Sequence, residues 1–111
     1  MSRFGDQVDK LAATIASRRG ADPKSSWSAR LLADPELAAK KLAEEAIELS
    51  LAAVADRREG VVAESADLIY HWLALLAGAG VSLDEVAEAL AARENRSGVE
   101  EKAGRGSKKE V

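Results

Sequence analysis

Cysteine is absent from this chain of 111 residues, which excludes a disulfide framework and any thiolate metal site. Aromatic residues make up 4% of the sequence and there are two prolines, so bulky core-filling side chains and helix breakers are both scarce. β-Branched residues are sparse, which leaves a sheet-based fold little to draw on. No uninterrupted apolar run approaches the ~20 residues that a bilayer-spanning helix needs. The first residues, Met1 to Asp6, lack the apolar stretch of a signal peptide, so a soluble, cytoplasmic protein is expected. A net charge of −3 provides no general positive field, which argues against a nucleic-acid partner. His71 is the lone histidine, too few for the paired Glu-x-x-His of a di-iron bundle within one chain. There is no local Ser/His/Asp signature and no Gly-rich phosphate loop of the Walker or dinucleotide type.

What is abundant is Ala, Leu and Glu, the composition of an all-α fold. Phe4, Val8, Leu11, Ala12 and Ile15 repeat at helical spacing, with Gly20 as a stop signal. Residues 21–28 read as a connector, followed by a short helical turn over 29–32. Asp34-Pro35-Glu36 is a strong helix start, predicting a helix over about 35–55. Along it Leu37, Ala38, Leu42, Ala46, Leu49 and Ala53 form an apolar row, widened by Ile47, Leu51 and Val54. Asp56-Arg57-Arg58-Glu59 matches a capping box and predicts the next helix over about 57–77, ended by Gly78-Ala79-Gly80. Ser82-Leu83-Asp84-Glu85 is a second capping box, opening a final helix to about residue 93. Residues 1–95 are expected to form one all-α domain of four to five helices, and 96–111 a charged, disordered tail.

Two acidic stretches stand out on this apolar background. In Lys40-Lys41-Leu42-Ala43-Glu44-Glu45-Ala46-Ile47-Glu48, the acids at 44, 45 and 48 share one side of a helix; Glu64 and Asp67 repeat the i, i+3 spacing. The short connection predicts a central antiparallel hairpin with both acidic stripes facing inward. Like charges one turn apart destabilise a helix, and a hard divalent cation such as Mg²⁺ or Mn²⁺ would compensate them. Lys40 and Lys41 lie three or four residues before these acids, as helix-face ion pairs or as cations beside metal-bound phosphate. Carboxylates, a metal and flanking cations suit attack of water on a phosphoanhydride. Ser26, Ser28 and Arg30 are candidate phosphate or ribose contacts, or else turn and capping residues. The 68–77 stretch is apolar nearly all round, a surplus best covered by a second copy of the chain, which predicts a homodimer.

Ser26-Trp27-Ser28-Ala29-Arg30-Leu31-Leu32, the Lys40–Glu48 run, Glu64-Ser65-Ala66-Asp67-Leu68-Ile69-Tyr70-His71 and Gly80–Val86 together resemble the phosphoribosyl-ATP pyrophosphohydrolase family. That family belongs to the MazG-type all-α nucleoside triphosphate pyrophosphohydrolases, marked by E-x-x-E followed by E-x-x-D. The resemblance spans about residues 4–93. It implies hydrolysis of phosphoribosyl-ATP to phosphoribosyl-AMP and pyrophosphate in histidine biosynthesis, with Mg²⁺ and a homodimer of helical hairpins. It further implies Glu45, Glu48, Glu64 and Asp67 as metal ligands, with Glu44 as catalytic base or additional ligand. Lys40, Lys41 and Arg30 would face phosphates, with Ser26 and Ser28 near them. Trp27, Ser28 and Arg30 stand where the family commonly has Tyr, Thr and Lys, and Ala43 where Gly is common. The alternatives are a house-cleaning nucleotide pyrophosphohydrolase of the same superfamily and a non-enzymatic helical dimerisation module.

Overall fold

Helix α3 (Pro35–Val54) starts where an N-cap acid meets a proline: the Leu37 N–H donates to Asp34 Oδ1 at 3.1 Å, and Pro35 occupies a position whose N–H would have no partner. Around it the computed structural model describes residues 2–94 as helix and connecting turns; the expected tail lies outside them. The other elements are α1 (Arg3–Ala16), α2 (Trp27–Ala33), α4 (Arg58–Ala79) and α5 (Leu83–Glu94), with no strand among the described residues. The class is all-α. The described residues fall into two compact units, one ending at Gly80 and the other beginning at Val81.

Two expected helix ends are corrected. Asp56 is not the N-cap of α4. It lies at φ 57° beyond the end of α3, with its N–H donating to Ala53 O and the Arg57 N–H reaching back to Ala52 O. These two bonds make a Schellman closure, and Asp tolerates the left-handed conformation that the closure requires. Helix α4 then begins one residue later, after Arg57, with no side-chain cap. Helix α1 ends at Ala16 rather than near Gly20, and one of the intervening basic residues, Arg19, serves another helix. Arg19 Nη2 donates to Ala77 O at 2.8 Å, where a carbonyl of the last turn of α4 welcomes a cation. Gly80, at φ 73°, closes α4 as expected.

In the first unit α3 and α4 pack along their length, and α1 and α2 lie against α4. Early α4 meets late α3: a Cβ added at Gly60 would stand 3.3 Å from the Ala52 Cβ, and Ala52 is wholly buried. At the other end Ala38 and Pro35 line a small apolar pocket with Ala74 and Gly78. The core is thin, as the shortage of aromatics foretells. Ile15 and Leu31 are its only large, fully enclosed side chains among the described residues; Ala29, Ala38, Ala52 and Ala74 fill much of the rest. Ile47, Leu51, Val54 and Val62 are exposed, so the residues expected to widen the inner row of α3 instead form an outer stripe. Helix α4 is long enough to cross a membrane and contains an 18-residue stretch of mean hydropathy 1.2. Glu64 and Asp67 interrupt it, and His71, Leu73 and Ala74 are buried in the packed unit.

In the second unit α5 opens on a complete capping box. The Ser82 N–H donates to Glu85 Oε2 at 2.8 Å and the Glu85 N–H to Ser82 Oγ at 3.1 Å. The Ser82 N–H, and then the Ser82 hydroxyl at 3.1 Å, donate to that carboxylate and hold the Glu85 carboxyl below its usual range. No residue of α5 is buried.

Candidate metal and substrate site

Because α3 and α4 are held close at Ala52 and Gly60, the acids four residues from that contact on each helix are brought together. Carboxylate oxygens of Glu45, Glu48 and Glu64 all lie within 4.8 Å of one another. Glu45 is the inner member, 7% exposed, and its Oε2 has no hydrogen-bond partner. Burial pushes the Glu45 carboxyl up to about 7, helped by the Glu64 and Glu48 carboxylates beside it and by the charge of Asp67. Asp67 thus acts on the cluster electrostatically, though it stands outside the group of three whose oxygens converge. An oxygen-only donor set with an orphaned buried oxygen suits a hard divalent cation.

Glu44 is not part of this trio and pairs with Lys41, with Lys41 Nζ and Glu44 Oε1 3.1 Å apart. The Lys41 ammonium is held above its usual range by that contact first, and then by the charges of Glu45 and Glu48. Lys40 is exposed on the preceding position of the helix.

The remaining expected residues are on or beside α2. Ser26 caps it, its Oγ accepting the Ala29 N–H at 3.1 Å. Ser28 Oγ and Tyr70 Oη share a hydrogen bond of 2.6 Å. Trp27 Nε1 donates to His71 Nε2 at 3.2 Å, and His71 Nδ1 lies 2.8 Å from the main-chain oxygen of Asp67. Arg30 places its guanidinium 5.6 Å from the Trp27 ring centre. Sequence reasoning treated Tyr70 as part of an apolar surplus and so missed that it anchors Ser28. His71 is a buried, hydrogen-bonded histidine whose bond on α4 is to the Asp67 carbonyl, not to the carboxylate. A Trp and a Tyr each need a polar partner when half-buried, and that was the available signal.

Comparison with known proteins gives a consistent result. The family model described as phosphoribosyl-ATP pyrophosphohydrolase matches residues 8–94. A protein of Caulobacter vibrioides strain NA1000 named phosphoribosyl-ATP pyrophosphatase is 60% identical over 103 residues, covering 93% of this chain and 96% of the relative. Proteins with the same name from Caulobacter sp. strain K31 and Cereibacter sphaeroides strain ATCC 17029 are 57% and 51% identical, covering 96% and 89% of this chain and 100% and 97% of their own lengths.

Proposed function

Since the chain belongs to the phosphoribosyl-ATP pyrophosphohydrolase family, we propose that its converging carboxylates serve the hydrolysis of phosphoribosyl-ATP to phosphoribosyl-AMP and pyrophosphate, a step of histidine biosynthesis. The chain is a hydrolase of phosphoric anhydrides. The observation that carries the reading of the site is the trio Glu45, Glu48 and Glu64 with its partnerless buried oxygen. These three, with Asp67 beside them, would hold the cation, Mg²⁺ or in its place Mn²⁺. When bound, the ion neutralises charge developing on the phosphate oxygens.

The chain's own residues do the rest. Glu44 stands outside the trio and is accessible, so it is assigned the proton taken from the attacking water. Lys41, drawn to the acids, and exposed Lys40 supply positive charge for the departing pyrophosphate. Arg30 projects from α2 to meet a further phosphate, while Ser26 and Ser28, at the start of that helix, lie near the ribose or phosphate. A homodimer fits the exposed stripe of Ile47, Leu51, Val54 and Val62 and the half-buried apolar face of α4. The substrate is a soluble phosphorylated metabolite, so the cytoplasm is the proposed location.

The test is pyrophosphate release from phosphoribosyl-ATP, dCTP, dUTP and ATP in parallel, with and without Mg²⁺. Strong preference for phosphoribosyl-ATP is expected; preference for a simple nucleotide overturns the assignment in favour of house-cleaning. Glu44→Gln should lower kcat by about 10²- to 10⁴-fold, the range of a lost general base, while leaving cation affinity intact. Full activity in that variant removes Glu44 from the chemistry.

A further inference from the structure

Trp27 and His71 have no part in the chemistry just described, yet they join α2 to the metal-bearing stretch of α4. An indole N–H only donates, so at 3.2 Å from Trp27 Nε1 the His71 Nε2 must accept. The ring proton is then on Nδ1, which donates to the Asp67 carbonyl at 2.8 Å. Both nitrogens of a ring that is 7% exposed are used, so the imidazole is held in one orientation. Trp27 itself is 40% exposed, and the hydrogen bond at its edge decides which way its face is turned. That face carries the Arg30 guanidinium. Among the described residues no carboxylate pairs with Arg30, so the ring is the group that orients it.

We infer that His71 is a positioning residue: through Trp27 it aims the Arg30 guanidinium at the substrate's phosphates without touching the substrate itself. The inference rests on the reading above that Arg30 meets a phosphate. A histidine that merely stabilised the fold would lower the melting temperature but would not act through Arg30.

Steady-state kinetics with phosphoribosyl-ATP at saturating Mg²⁺, on the full chain, separate these cases. His71→Leu removes the acceptor; Trp27→Phe removes the donor while keeping an aromatic face. Each should raise KM roughly five- to tenfold, about the value of one partly desolvated cation–π contact, with kcat little changed. His71→Gln, whose amide oxygen can accept the indole N–H, should recover most of the loss. In an Arg30→Ala background, His71→Leu should add nothing further. The inference is overturned if Arg30→Ala raises KM while His71→Leu and Trp27→Phe do not, or if the effects of His71→Leu and Arg30→Ala simply add. A silent Arg30→Ala instead sinks the phosphate contact assigned to Arg30, and the positioning role with it. If His71→Leu fails to fold, Trp27→Phe carries the same test from the more exposed partner.

Discussion

Two polar clusters interrupt the apolar packing of the first unit, one where α2 meets α4 and one where α3 meets α4, and they are built in opposite ways. Around His71 every group has found a partner: the indole N–H, both imidazole nitrogens and the Ser28 and Tyr70 hydroxyls. Around Glu45 acids face acids, one buried oxygen has no partner, and burial resists ionisation. A satisfied network holds a structure in place. An unsatisfied one of like charges costs stability until something else arrives, and such frustration marks a site.

Removing a carboxylate should therefore do the reverse of removing a hydroxyl. Glu45→Gln is expected to cut kcat/KM on the order of a thousandfold, since the cation's several kcal/mol of charge stabilisation would be lost. The same substitution should raise the metal-free melting temperature at pH 8, because one of three crowded charges is gone. An active Glu45→Gln enzyme would erase the contrast between the clusters. Millimolar Mg²⁺ or Mn²⁺ should raise the melting temperature of the parent chain by several degrees over chelator, about 2.7 kcal/mol at a hundred times Kd. Glu48→Gln with Asp67→Asn should abolish that shift, and no shift in the parent chain counts against a cation site.

The pH dependence sharpens the same point. Glu45 binds its proton more tightly folded than unfolded, with a folded value of about 7 against the ordinary 4.5. Between these values the native state holds more protons, so metal-free stability should fall as pH rises from about 4.5 to 7 and stay low above it. Denaturation midpoints in chelator at pH 5 and pH 8 check the sign, and Glu45→Gln should flatten the slope. The smallest effect belongs to the satisfied cluster. Tyr70→Phe leaves Ser28 without its partner and should cost about 1 kcal/mol in urea unfolding, with kcat preserved.

The helices and the acid spacing were legible because they depend on near neighbours in sequence. Asp34-Pro35, Gly80 and the Ser82/Glu85 box each act within one turn, and the i, i+3 acids of α3 and α4 carry their own register. Asp56 was misread because an acid between two helices satisfies two local rules at once, capping the next helix or closing the last in the left-handed region. Backbone closure at Ala52 and Ala53 decided it, and no sequence window shows that. Ile47, Leu51 and Val54 continue the period of the inner row, but only packing distinguishes an inner stripe from an outer one. The partners of Ser28 and Trp27 lie 42 and 44 residues away, beyond any local pattern.

The meeting of Ala52 with Gly60 has a mechanical consequence. Glu48 and Glu64 each stand four residues from that pinch, about 6 Å along their helices, so the two rods work as a calliper with its pivot at a single methyl and a bare backbone. The gap between the jaws is gauged there, not at the acids themselves. Glycine at 60 leaves out the Cβ that would stand 3.3 Å from the Ala52 Cβ, and what it provides is a narrow, repeatable opening.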